Sequence, residues 1–296
     1  MPPTAAARSA PFAIAVVLLG LVAVSHGAIF TRMAAEAHPI VIAAFRLGIA
    51  ALILAPVAAL RCGGELLDLG GRRLVATIGA GVFLAGHFAA WMASLEFTSI
   101  ANNVILVNLN PVWIALVTAL ITRMRPATMV IASIGISVGG SAIVALGSAT
   151  EGMDNLLGDG LAVLGGMCLA GYLLLGRTAR CDMSLLAYIA VCYGVGAIVL
   201  WIAVLVMGLP VTGFTFGTYG AMVGMAVVSQ VVGHSSYNWA LKRFDPGFVA
   251  VCLLGEPLLA SLFGFLYFGE GIAAATFAGG ALILAGIYLG ARAELR

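Results

Sequence analysis

Along this chain the hydrophobic positions neither alternate nor form narrow stripes. They fall into runs of about twenty, and short polar clusters between the runs hold nearly all of the charge. At 1.5 Å per residue, a helical run of about 20 residues crosses the ~30 Å hydrocarbon core of a bilayer. The pattern predicts ten transmembrane helices, at 12–31, 37–60, 73–95, 98–121, 126–147, 157–177, 183–208, 216–240, 245–268 and 271–291. The connections are short, which leaves no extramembrane domain.

Composition strengthens this reading. The chain is 62% hydrophobic and 9% charged, with a mean hydropathy of +1.14, whereas a soluble domain carries about 25% charged residues. The expected fold is an all-α polytopic membrane protein, and the lipid bilayer is its first partner. The 38 glycines suit close helix approach in lipid. A net charge of +2 without basic clusters beyond pairs excludes nucleic acid as a partner. Five cysteines stand singly, with no C-x-x-C, so they read as packing or loop residues; no metal and no cofactor is expected. The first 27 residues imitate a signal peptide, but the repeat described below needs them as its first helix.

Charge placement gives orientation. Arg8, Arg61, Arg72, Arg73, Arg123, Arg125, Arg177, Arg180, Lys242, Arg243, Arg292 and Arg296 fall on the side of the N-terminus, and only Arg32 on the other, whose loops are acidic. The positive-inside rule then makes both termini cytoplasmic, in a plasma (bacterial inner) membrane.

The segments "GHFAAWMASLEFTSIANNVILVNLNP" (86–111) and "GHSSYNWALKRFDPGFVAVCLLGEP" (233–257) both run from a Gly-His in one span to a proline in the next. Gly86 and Gly233 lie 147 positions apart, Pro111 and Pro257 lie 146 apart, and the fifth and tenth spans both carry G-x-x-x-G (135–139 and 286–290). A duplicated five-helix unit follows, 1–148 and 149–296. Five is odd, so the second unit enters from the opposite face. Inverted repeats of this kind characterise secondary transporters, whose substrate sits near the midplane between the halves. Pro111 and Pro257 are the matched helix breaks. Each frees a carbonyl four residues back, which persists at membrane depth only against protein or a wet cavity.

Polar residues near the breaks are the candidate cavity lining. His87 and Trp91 share a face of the third span with Phe83, which reads as packing. Gln230, His234 and Asn238 share a face of the eighth. Asn103 and Asn110 share a face of the fourth; Asn102 is added from the same asparagine-rich stretch, and Asn108 lies off that face. Glu256 either takes up a proton or braces the break at Pro257. His26 and Tyr172 are within reach of the same centre. Arg46, deep in the second span, is expected to face carbonyls, a carboxylate or the cavity, with a structural role favoured. The two G-x-x-x-G helices suit internal packing in a monomer, with a dimer as the alternative.

"NWALKRFDPGFVAVCLLGEPLLASLFGFLYFGE" with "FAGGALILAGIYLG" resembles the second repeat of the EamA-type drug/metabolite transporter superfamily, "LEFTSIANNVILVNLNPVWIALVTALI" resembles the first, and "FRL" (45–47) is similar to its second helix. The resemblance covers nearly the whole chain. It implies ten helices around a central cavity walled by helices 3, 4, 8 and 9, with helix 2 peripheral, and export of amino acids or amphiphilic metabolites. Among members the chain looks most like the YddG-type exporters of aromatic amino acids. The acid often found after the family's fourth helix is absent, the chain reading "TRMRP" there.

The expected function is a secondary transporter exporting small amphipathic metabolites, aromatic or large apolar amino acids foremost, by alternating access, with protons as the candidate coupling ion. The alternatives are a passive facilitator of the same substrates and an exporter of other metabolites or lipophilic cations. Walker A is absent and no aspartate sits deep in a span, so nucleotide-driven pumping and an intramembrane enzyme rank last.

Overall fold

The computed structural model describes residues 5–95, 97–98, 100–147, 156–269, 271–272 and 274–294. Ten helical spans follow one another: α1 (Ala5–Met33), α2 (Pro39–Leu67), α3 (Gly71–Ser94), α4 in two segments (Ile100–Val107 and Asn110–Thr122), α5 (Thr128–Gly147), α6 (Leu156–Arg180), α7 (Leu185–Val206), α8 (Phe216–Ala240), α9 in two segments (Pro246–Leu253 and Glu256–Phe268) and α10 (Ala274–Glu294). Among the described residues, nine of these are long and apolar enough to cross a membrane, and α5 contributes a shorter apolar stretch, Thr128–Val144.

Helix ends follow from local chemistry. His38, Ser184, Thr215 and Asp245 each accept a hydrogen bond from a backbone N–H of the first turn they precede, and Pro39 and Pro246 occupy first-turn positions, where a missing N–H costs nothing. Gly269 closes α9 with a φ of 69°, a left-handed conformation that glycine adopts freely. The second span is longer than the expected 37–60: α2 runs to Leu67 through a kink at Cys62 (φ −129°, ψ 21°), so the apolar run ends at the kink and not at the helix end.

The packing has two-fold logic. α1 lies on α8 as α6 lies on α3; α1 touches α9 as α6 touches α4; α2 touches α8 as α7 touches α3. Exchanging each helix with the one five places on leaves the α2–α7 and α5–α10 pairs unchanged. That is the pairing expected of two inverted five-helix repeats. The four fully buried tyrosines, Tyr172, Tyr188, Tyr193 and Tyr237, lie in the shared core of α6, α7 and α8.

Lipid supplies no hydrophobic drive between helices, so small residues must let backbones touch. In the α5–α10 pair a Cβ on Gly140 would stand 2.6 Å from the Gly279 carbonyl, and one on Gly279 would stand 2.4 Å from that of Gly140. Ser133 Oγ donates to the Gly286 carbonyl at 2.9 Å. The α10 G-x-x-x-G (Gly286, Gly290) is thus turned onto Ser133 and Ser137 of the same chain, while Gly135 and Gly139 of α5 meet nothing within 4 Å.

At the helix ends, two carboxylates tie the halves together. Glu65 accepts from the Ser184 N–H (2.7 Å) at the start of α7. Glu36, between α1 and α2, accepts from the Thr215 N–H (2.9 Å) and from the Thr215 and Thr218 hydroxyls at the start of α8. The Thr215 N–H, followed by the Thr218 hydroxyl, holds the Glu36 carboxyl below its ordinary value against a small opposing effect of burial.

Gly140→Ala is expected to lower the thermal stability of the detergent-solubilised protein by about 1–3 kcal/mol, the usual cost of overpacking, while Gly139→Ala is neutral. Equal melting temperatures for the two variants would contradict the α5–α10 contact. A carboxyl depressed on folding contributes stability that is present above its unfolded value and lost as pH falls through the folded one. Melting temperature should therefore drop more steeply for the wild type than for Glu36→Gln as pH falls below about 4.3, the ordinary glutamate value. Parallel profiles would show that Glu36 makes no contribution.

Candidate functional site

The breaks in α4 and α9 build the centre of the molecule. α4 stops at Val107 and resumes at Asn110; α9 stops at Leu253 and resumes at Glu256. Each interruption therefore precedes its proline, and Pro111 and Pro257 sit in the first turn of the second segments. Tight i→i+3 turns bridge the gaps, Leu109 N–H to the Leu106 carbonyl and Gly255 N–H to that of Cys252. The freed Val107 carbonyl receives the Asn110 side-chain amide at 3.3 Å. Asn108 donates to Ser141 Oγ at 2.6 Å, tying the break to α5.

A cavity of about 140 Å³ opens between the two breaks, walled by α1, α2, α3, α4, α6, α8 and α9. On one side His87 and Trp91 stack with nearly parallel rings (6.1 Å, 7°), and Phe88 adjoins them. His87 Nδ1 lies 3.0 Å from the Gly165 carbonyl, which can only accept, so Nδ1 carries the proton and Nε2 of the neutral ring is left as an acceptor. The Trp91 indole N–H donates to Asn103 Oδ1 (3.0 Å), and Asn103 Nδ2 returns to the Trp91 carbonyl (3.1 Å) and to Ser94 Oγ. Asn110, His234, Glu256 and Arg46 line the same cavity, with His234 edge-on to Phe88 at 5.6 Å between centroids. Arg46 Nε donates to Gln230 Oε1 (2.7 Å), and its guanidinium lies 4.2 Å from the Phe88 ring centroid. Arg46 Nη2, Asn110 Oδ1 and His234 Nδ1 are buried without a hydrogen-bond partner.

Of the residues expected here, His87, Trp91, Asn110, His234, Glu256 and Pro257 line this one cavity. Pro111 is buried beneath its break. Asn103 turns away to hold Trp91, and Gln230 holds Arg46. Asn238 accepts from the Tyr172 hydroxyl (2.9 Å) and donates to that of Tyr193 (3.0 Å), so both Asn238 and Tyr172 form a buried layer behind the site. His26 donates to the Val22 carbonyl and packs on Phe263, 4.0 Å between centroids, away from the cavity lining. The side chain of Asn102 lies outside the described residues. Phe83 packs over Gly171 of α6 with its outer edge exposed.

Residues 108–109 interrupt α4, so the angular step changes there and Asn108 lines the cavity in place of Asn103. On α8 His234 lines the cavity, while Gln230 bonds to Arg46 and Asn238 to the Tyr172 and Tyr193 hydroxyls. Arg46 takes the cavity-facing alternative: α2 is not peripheral at this depth, because it packs on α8, and the arginine reaches the cavity wall. A charge standing alone between positions 39 and 60 of an apolar helix was the available signal. Phe88 had no comparable signal beyond its position next to His87.

Ten helices in inverted halves around a central, partly polar cavity define a membrane transporter architecture. The EamA-like transporter family matches residues 11–146 and again residues 156–291, and the chain belongs to that family. An uncharacterized transporter of Archaeoglobus fulgidus is 27% identical over 206 residues, covering 68% of this chain and 70% of the relative. A second from the same organism is 24% identical over 213 residues, covering 72% and 74%. One solved crystal structure, 16% identical, superposes with a TM-score of 0.80 over 96% of this chain and 99% of its own, a likeness of fold alone.

Asn103→Ala removes the link between Trp91, Ser94 and α4. Interhelical side-chain bonds in lipid contribute ~0.6 to ~1.7 kcal/mol, so a loss of about 1 kcal/mol on unfolding from detergent is expected. An unchanged unfolding midpoint would mean that the link adds nothing.

Proposed function

We propose that this transporter exports small amphipathic metabolites, foremost amino acids with aromatic or large apolar side chains, by alternating access, as the aromatic amino acid exporters of its superfamily do. One observation supports the reading: a stacked His87–Trp91 pair with Phe88 beside it and the polar groups of Asn110, His234, Glu256 and Arg46 line the same cavity between the helix breaks. An apolar ring and a charged backbone head would each find a matching surface there. A cavity of about 150 Å³ holds a benzene ring, so the 140 Å³ present here has room for one ring. In this reading units 1–148 and 149–296 rock about the fixed centre, both termini face the cytoplasm of a bacterial inner membrane, and the protein works as a monomer.

Protons are the coupling ion in this reading, with Glu256 as the carrier. A passive facilitator is the second reading, and one feature favours it. Glu256 opens the second segment of α9, where the helix dipole stabilises a carboxylate without any change of protonation. Transport that follows an imposed pH gradient in wild type and not in Glu256→Gln supports coupling; indifference to the gradient supports the facilitator.

The test is uptake of radiolabelled tryptophan, phenylalanine, threonine and lysine into proteoliposomes. Saturable uptake of the aromatic pair is expected, with Trp91→Ala raising half-saturation about tenfold, ~1.4 kcal/mol. Folded protein that moves none of the four overturns the amino acid reading.

A further inference from the structure

We infer that Arg46 is the anchor for a substrate carboxylate, and that the transported species is a zwitterion or monoanion gripped end-on by its guanidinium. This deepens the amino acid reading above and rests on it for the rest of the substrate.

A guanidinium deep in a membrane is costly unless its donors are used, and it carries five N–H groups in a fixed fork. In Arg46 only Nε is committed, to Gln230 Oε1 at 2.7 Å. Nη2 is buried without a partner. Nη1 stands 3.9 Å from the place a Cβ on Gly27 would occupy, and Gly27 lines the cavity. Gln230 and the Phe88 ring therefore fix the plane and direction of the group while the two terminal nitrogens remain uncommitted. Two parallel N–H groups are the complement of one carboxylate.

Two other arginines of the chain show what a structural role looks like here. Arg180, equally buried, spends Nε on the Asn238 carbonyl and Nη1 on that of Met183. Arg177 spends Nη1 on the carbonyls of Leu241 and Phe244. Both staple helix ends with their terminal nitrogens, and Arg46 does not.

Glu256 narrows the ligand further. Sharing the cavity with Arg46, it repels a second negative charge and offers an acceptor to an ammonium, as does His87 Nε2. The wall thus selects against dianions such as phosphate esters and favours a single carboxylate, with an amine beside it, on an apolar body.

The experiment measures inhibition of phenylalanine uptake by phenylalaninamide and phenethylamine, which lack the carboxylate, and by 3-phenylpropionate, which lacks the amine. Direct binding of 3-phenylpropionate to detergent-solubilised protein is measured in parallel. Charge-assisted hydrogen bonds are worth about 10- to 100-fold in affinity. The wild type should prefer phenylalanine to phenylalaninamide by that factor. Arg46→Gln should lose the same factor for phenylalanine while its affinity for phenylalaninamide is unchanged. Retention of the preference in Arg46→Gln overturns the assignment. Should that variant not fold, the wild type alone decides, since equal inhibition by phenylalanine and phenylalaninamide overturns it. Binding of 3-phenylpropionate that vanishes in Arg46→Gln, without any amino acid uptake, would sink the amino acid reading and uphold the anchor. Amino acid uptake indifferent to the carboxylate would do the reverse, and binding of neither class overturns both.

Discussion

A backbone carbonyl freed at membrane depth has no water to turn to, and the architecture of this protein depends on how that constraint is met twice. Proline at 111 and 257 cannot continue an α-helical ladder, so α4 and α9 each stop and restart. The restart has to be walled by other helices, because lipid would leave its polar groups unsatisfied. Asn110 answers for the Val107 carbonyl and Asn108 reaches Ser141, tight turns use the Val251 and Cys252 carbonyls, and Leu253 lies at the cavity lining. Seven of the ten spans are then drawn around the interruptions, and a cavity forms where two non-helical stretches meet.

Holding this centre requires a rigid rim. α2–α7 and α5–α10 map onto themselves under the pseudo-two-fold exchange, so they join the halves directly. In α5–α10 the join is backbone on backbone, at Gly140 and Gly279, with no side chain between. The pairs that map onto each other, α1–α8 and α3–α6, line the cavity together with α4, α9 and Arg46 of α2. A reading in which the halves rock needs this division: contacts that stay fixed at the rim, and paired contacts that exchange roles when one side opens and the other closes.

Most of the fold could be read from sequence because hydrophobic run length is a one-dimensional signal. Ten runs became ten spans, and the Gly-His and proline matches located the internal symmetry. The site was legible only where helices stay regular. His87 and Trp91, on unbroken α3, share a wall as i, i+4 geometry requires. Asn103, Asn108 and Asn110 straddle a break, so their facing could not be taken from a wheel. Arg46 failed differently. Its depth was visible, but its partners lie 184 residues away in sequence, at Gln230, and across a ring contact to Phe88 that no periodicity encodes.

The electrostatics of the centre explain why so many polar groups there stand idle. Burying a polar group costs free energy unless it is bonded, and a stable membrane core would have replaced or paired them. Arg46 Nη2, Asn110 Oδ1 and His234 Nδ1 are buried and unpaired around one small volume, while groups of the same kinds a layer behind, at Arg180, Asn238 and Tyr172, are paired. Unpaired groups also lie off the wall, at Gln230 Nε2, Ser229 Oγ and the Tyr188 and Tyr237 hydroxyls, but those at the wall are the ones a ligand in the cavity would meet. Free energy left unspent in the empty state is free energy available on binding, and a ligand that satisfied these groups would recover it in proportion to its own charges. A site of that kind discriminates by what it leaves unpaired: a purely apolar molecule fills the space but leaves the cost in place, whereas an amphipathic one with a charged head removes it.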